Sequence, residues 1–324
     1  MNKRLLVSLG LSLVGLGLFG FIFYTNNLTP DALLQALRGA DPFWIGTSFL
    51  LVAFFYLFSS LKWRLVTHAQ ASERFGVFFY YRYIALSAAL GQILPLTLIN
   101  AAVRAFAMRR KDVMPVMKST GLFIWDMGFD FLALTLLMMA GVTHVFLKMS
   151  WSTAALLWAG SVILVYLVMP LFIRLASWLA GILAGIRLLP AGIRERFSAL
   201  KEARILDAAL ARKLFVLGCG KFLVGAVLYS VIVLAFGHGE ILSEVFWGGP
   251  SAEMAGVLSQ MPGGLGAFDW TWVGIFRESG LVAQTAASLA VGLRCILVLL
   301  NCSVAFCTLS VYFILVRIFG VGRT

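Results

Sequence analysis

Six ionisable residues lie inside stretches that are otherwise apolar, and their types suit the handling of an anion. Arg104, Lys221 and Arg294 supply positive charge. Asp126 and Asp130 are one helical turn apart and so share a face, and Asp269 closes a run of glycines. An ionisable group at membrane depth is costly, so it is kept for a function or paired with another. Pairing of Lys221 or Arg294 with Asp126, Asp130 or Asp269 would neutralise them and hold helices together. Depth favours that structural role for Lys221 and Asp130. Arg104 and Arg294 are read instead as ligands of an anionic group, and Asp269 as the residue that fixes its turn. Asn301 lies seven residues after Arg294 and seven before Thr308, which places the three on one helix face.

The glycines ending at Asp269 form the sharpest polar break in the chain: Gln260-Met-Pro-Gly-Gly-Leu-Gly-Ala-Phe-Asp269. Irregular backbone at membrane depth is tolerated where protein buries it or where it lines a cavity. If a helix restarts at Gly266 or Ala267, the N–H groups of Gly263, Gly264 and Gly266 point a partial positive charge into the break and suit an anion. Small residues also let membrane helices approach closely, so packing accounts for the same residues.

These residues need a scaffold, and composition defines its class. Of 324 residues, 61% are hydrophobic and 12% charged, with a mean hydropathy of +0.95. Such a chain buries its surface against lipid, and its long apolar runs identify an all-α polytopic membrane protein. The formal charge of +12 does not point to nucleic acid, because the Lys and Arg sit in loops between apolar runs. Cys219, Cys295, Cys302 and Cys307 fall inside apolar runs without metal-ligand spacing, so neither a disulfide framework nor a zinc site is expected. His68, His144 and His238 have no nucleophile partner in sequence, and no Walker A or Asp-rich cluster occurs. No enzyme activity, metal or cofactor is expected.

About six full spans are expected, at 5–24, 43–61, 116–147, 151–173, 214–236 and 283–316. The first follows Lys3 and Arg4 and reads as a retained signal anchor. Thr29-Pro30 and Asp41-Pro42 are helix-start signatures. The first opens a short amphipathic helix through Leu33, Leu34 and Leu37. Lys62-Trp63-Arg64 reads as an interfacial anchor, and Arg82 as a snorkelling residue. Residues 174–213 read as a basic amphipathic segment on the inner leaflet.

Charge placement sets the topology. Basic clusters flank 75–108 on both sides, so this piece enters and returns, turning near Pro95. Glu240, Glu244 and Glu253 mark an outer loop, and about 245–277 forms a second hairpin from that side, turning at Pro262. Both termini then lie on the cytoplasmic side. Asp126 follows Pro95 by 31 residues and Arg294 follows Pro262 by 32. Two opposed hairpins, each followed by a charged long helix, form a candidate inverted repeat of the transporter kind within one membrane domain, 1–324.

Pro262-Gly-Gly-Leu-Gly-Ala-Phe-Asp269 resembles the Pro-Gly-Gly-Leu-Gly-x-Phe-Glu signature of the flippase-like membrane domain of bacterial lysylphosphatidylglycerol synthases and their stand-alone relatives. Gly91 to Arg104 resembles the family's Leu-Pro segment ending in arginine. Ile124-Trp-Asp126 falls at its aspartate, and Gly292-Leu-Arg294 resembles its Tyr-Arg. The chain departs from the pattern at Asp269, which replaces glutamate, at Ile99-Asn100-Ala101, which replaces Gly-Gly-Asp or Gly-Glu, and at Met127, which replaces arginine. No soluble aminoacyl-transfer segment is present, so synthase activity is not expected.

The resemblance implies a lipid flippase of the bacterial inner membrane, moving an anionic or lipid-linked head group between leaflets. Arg104, Lys221, Gly263, Gly264, Gly266, Arg294 and Asn301 would meet the head group. Pro95, Asp126, Asp130, Pro262 and Asp269 would organise the cavity, with Asp126 and Asp269 as candidates for proton coupling. Two other readings stay open: a non-transporting partner of a lipid or glycan biosynthesis enzyme, and an interfacial lipid-modifying enzyme using Asp126. Membrane lipid is the expected partner, with a homo-oligomer or a biosynthetic enzyme as further candidates.

Overall fold

The computed structural model describes residues 3–71, 73–110, 113–185 and 207–319. Among them are eleven α-helices: α1 (Lys3–Thr25), α2 (Pro30–Arg38), α3 (Pro42–His68), α4 (Val77–Leu90), α5 (Leu96–Arg110), α6 (Val116–Val145), α7 (Trp151–Gly185), α8 (Ala208–Ala235), α9 (Leu242–Ser259), α10 (Ala267–Glu278) and α11 (Ala283–Phe319). Five are long and apolar enough to cross a membrane: α3, α6, α7, α8 and α11. The sixth expected span is α1, whose described apolar part is shorter, Ser12–Thr25. The helix starts follow local chemistry. Thr29 Oγ1 accepts from Ala32 N at 3.2 Å before α2, and Asp41 Oδ1 accepts from Phe43 N at 2.8 Å before α3. A proline sits in the first turn of each.

The helices α4 and α5 form one hairpin, and α9 and α10 form the other. Their tips touch. Gly263 N donates to Gly91 O at 2.9 Å, and Thr97 Oγ1 donates to Gln260 Oε1 at 2.6 Å. Their bases lie at opposite ends of α6, a helix of 30 residues and so about 45 Å. At one end Lys118 Nζ donates to Gln70 O at 3.1 Å, and the His68 ring lies 6.0 Å from that of Tyr80. At the other end Lys148 Nζ donates to Glu278 O at 3.0 Å, and Trp151 lies 5.9 Å from Trp247. The hairpins therefore point at each other, as the charge pattern predicts.

Long faces of α7 and α11 stay exposed, with Leu156, Leu164, Leu167, Phe306 and Phe313 outward. In an all-α membrane protein these faces meet lipid. The expected amphipathic segment 174–213 is drawn differently. Its start continues α7 to Gly185, with Pro170 accommodated inside that helix, and its end belongs to α8. Residues 186–206 of it lie outside the described part. Arg82 packs its guanidinium 4.1 Å from the Tyr312 ring centroid and 4.8 Å from Tyr83, so aromatic rings of α4 and α11 surround it.

Candidate functional site

Two buried ionic clusters flank a cavity between the hairpins. The first joins α3, α5, α6 and α8. Arg104 Nη1 donates to Asp126 Oδ2 at 2.6 Å, and Lys221 Nζ donates to Asp130 Oδ2 at 2.7 Å. Lys62 bridges both aspartates: its Nζ lies 2.9 Å from Asp126 Oδ1 and also bonds Asp130. The position of Lys62 corrects the expected interfacial anchor. The helix α3 does not end at residue 61 but runs to His68, so Lys62 stands inside it and is 0% exposed. It shares a buried stripe with Ser59 and Val66, three and four residues away. Three cations meet two carboxylates, a formal excess of one positive charge. At ε values of a protein interior such an excess attracts an anion strongly.

The second cluster holds the glycine-rich tip. Arg294 Nε bonds Asp269 Oδ1, and Arg294 Nη1 donates to Gly263 O at 3.0 Å. Asp269 Oδ2 accepts from Gly266 N at 2.9 Å, which ties the start of α10 to the turn. The expectation that glycine N–H groups meet an anion is not what the structure shows. Gly263 N goes to Gly91 O, Gly264 N to Met261 O and Gly266 N to Asp269. These donors are spent on closing the tip. Gly266, at φ +82°, faces α1, where an added Cβ would lie 2.6 Å from Leu18 Cβ. An added Cβ on Gly264 would lie 2.8 Å from Gly256 Cα. These two glycines serve close approach, and Gly263 and Gly264 present backbone to the cavity.

The halves echo each other with charges exchanged. In the first, the arginine is on the hairpin and the aspartate on the long helix, 22 residues later. In the second, the aspartate is on the hairpin and the arginine on the long helix, 25 residues later.

The cavity has a volume of about 250 Å³. Arg104, Asp126, Asp130, Lys221, Arg294 and Asn301 all line it. Pro95, Pro262 and Asp269 stand behind the wall, shaping the tips. Asn301 accepts from Tyr56 Oη at 2.5 Å, and Asn100, at one family departure, accepts from Ser87 Oγ at 2.5 Å. Met127, at another departure, lines the cavity. Thr308 bonds back to Val304 O at 2.7 Å and takes no part. Arg104 and Arg294 are 6% and 8% exposed, yet Arg104 Nε and Arg294 Nη2 have no hydrogen-bond partner among the described residues. Each arginine is thus aimed by a carboxylate, with one buried nitrogen left unpaired behind the cavity wall.

Glu253, expected as an outer-side charge within the second hairpin, also lines the cavity. It is the twelfth residue of α9, about 16 Å along that helix. Its carboxylate bonds Tyr229 Oη of α8. Grouped with Glu240 and Glu244 as a mark of the outer side, it drew no site reading, although the hairpin expected at about 245–277 contains it. The rim reaches the surface at the exposed Thr97–Gln260 bond, beside the outward apolar side chains of Ile93, Leu98 and Leu258.

Comparison with known proteins agrees with this architecture. The family model described as the lysylphosphatidylglycerol synthase TM region matches residues 5–305. A protein from Methanothermobacter thermautotrophicus described as a UPF0104 membrane protein is 23% identical over 310 residues, covering 87% of this chain and 89% of the relative. No solved structure matches. With nearly its whole length matched, the chain belongs to the family of the lysylphosphatidylglycerol synthase transmembrane region.

Proposed function

We propose that the protein moves an anionic lipid head group between leaflets, in the inner membrane, with both termini cytoplasmic. The observation that carries this is the pair of arginines lining one cavity, beside a cluster of Lys62, Arg104 and Lys221 that exceeds its two aspartates by one positive charge. The phosphate of a lipid carries the negative charge that this excess attracts. The rim adds the amphiphile's other half: apolar side chains flank the opening, where acyl tails would stay in lipid while the head group enters. Alternating access would come from parting the hairpin tips, which are joined by the Gly263–Gly91 and Thr97–Gln260 bonds.

The test is translocation of tail-labelled phosphatidylglycerol in reconstituted phosphatidylcholine vesicles. The wild type accelerates it, and Arg294→Ala slows it about tenfold or more, since a charged hydrogen bond contributes about 1.5–3 kcal/mol. That variant strands Asp269, so the pair Arg294→Gln with Asp269→Asn, neutral and of similar shape, is measured beside it. An unchanged rate in both, with protein intact, removes Arg294 from the mechanism. Stoichiometric co-purification with a biosynthetic enzyme, and no translocation by the wild type, would favour the partner role.

A further inference from the structure

The acids around the cavity divide into two kinds. Asp126, Asp130 and Asp269 each contact at least one Lys or Arg. Glu253 has no cation within ion-pair distance among the described residues, and its hydrogen-bond partner is the Tyr229 hydroxyl. A carboxylate clamped by cations resists protonation, because taking a proton breaks the attraction. Glu253 has no such clamp. Its phenol partner also serves both protonation states without moving. Tyr229 donates to the ionised carboxylate, and its oxygen accepts from the protonated acid.

We infer that Glu253 is a proton-binding site, and that a proton and the anionic head group occupy the cavity together. The inference rests on the head-group reading above and gives that cavity a second ligand. It moves proton coupling away from Asp126 and Asp269, where the sequence placed it. The bond formed is O–H on a Glu253 oxygen, with the proton taken from water on the loading side and returned on the other. Linkage supplies the mechanism. A phosphodiester entering beside Glu253 favours its neutral form, and by reciprocity a protonated Glu253 strengthens binding of the phosphodiester.

The charged groups of the elements packed around Glu253 are engaged with other partners. On α8, Tyr229 faces Glu253, and Lys221 lies eight residues earlier, about 12 Å along the helix and engaged with Asp130. On α3, Tyr56 lies within electrostatic reach of Glu253 and donates to Asn301 of α11. Arg294 of α11 reaches Tyr229 electrostatically but bonds Asp269 of α10. From α6, Asp126 and Asp130 line the same cavity and are held by Lys62, Arg104 and Lys221. From the hairpin tips, Gln92, Asn100 and Gln260 are polar but uncharged. None of His68, His144 and His238 lines the cavity.

The experiment measures binding of a short-chain phosphatidylglycerol to the full chain in detergent at about pH 4 and about pH 8, on either side of the glutamate reference value of about 4.3. The phosphodiester stays ionised throughout. The wild type is expected to bind about tenfold tighter at the acid end, within the usual range of coupling between two ligands. Glu253→Gln, which mimics the protonated acid, is expected to bind tightly at both ends. In weak buffer with an indicator dye, the wild type takes up protons as lipid binds, and Glu253→Gln does not. The uptake measurement needs no variant, so it stands if the glutamine protein fails to fold. Wild-type binding without pH dependence or proton uptake overturns this inference and leaves the head-group reading intact. Retention of the wild-type pH dependence by Glu253→Gln assigns the proton elsewhere and overturns it too. Absence of phosphatidylglycerol binding at both ends sinks both readings.

Discussion

Asp126→Ala is expected to destabilise the protein by about 3–5 kcal/mol, the usual result of removing one partner from a buried ion pair. The carboxylate bonds Arg104 at 2.6 Å and lies 2.9 Å from Lys62 Nζ. Its loss leaves Lys62, Arg104 and Lys221 with one acid, Asp130. Three cations against one carboxylate cannot be tolerated where Lys62 is 0% exposed. Thermal unfolding in detergent reads the loss directly. A companion variant makes the cause specific. Lys62→Met together with Asp126→Leu removes one charge of each sign and restores the excess of one that the wild type has. If charge imbalance is the cause, the double variant regains part of the lost stability, because well-packed apolar groups replace buried pairs at little net cost. A double variant no more stable than Asp126→Ala would show that the shape of the cluster, not its charge, holds the four helices together.

That cluster also shows where sequence reasoning stops. Arg104, Asp126, Asp130 and Lys221 could be picked out because each sits alone in an apolar run, and a charge there is conspicuous. Lys62 could not. It stands next to Trp63 and Arg64 at the expected end of a span, where a lysine usually reaches water. The helix runs seven residues past the expected end at 61, which turns Lys62 inward, and no local signal fixes that length. Glu253 was hidden by its grouping with Glu240 and Glu244 as a mark of the outer side. Hairpin topology was easier, because it follows from the sum of many charges and not from one. The direction of single N–H groups at residues 263–266 lay beyond sequence. Glycine allows several turns, and the choice among them is made by Gly91 O, Met261 O and the Asp269 carboxylate. The motif forms the tip of the second hairpin, but its donors face the protein instead of the cavity.

Gly141→Ala is expected to destabilise by about 3 kcal/mol, the upper end for overpacking, even though alanine is the better helix former by about 0.8–1.0 kcal/mol. A Cβ on Gly141 would sit 1.9 Å from the carbonyl oxygen of Trp247 and 2.9 Å from its carbon. Both are backbone atoms of α9, so no rotamer change relieves the overlap and the helices must part. The helix α9 has nowhere to go. A Cβ on Gly248 would already lie 2.8 Å from Ile275 Cγ2 of α10, and one on Gly249 2.7 Å from the Tyr229 ring of α8. The same three neighbours hold α9 on three sides, and small residues are what permit it. Gly128→Ala is the control on the same helix. An added Cβ there meets nothing within 4 Å, so the propensity gain should survive and stability should rise or stay level. Opposite signs in one detergent, by thermal unfolding, are the expected result. Equal stability of the two variants would refute the backbone contact between α6 and α9. The consequence reaches the cavity because Glu253 stands one turn beyond Gly249, against the same tyrosine. A displaced α9 would separate Glu253 from Tyr229. Gly141→Ala should therefore weaken the pH dependence of lipid binding as well as stability, whereas Gly128→Ala should leave that dependence as in the wild type.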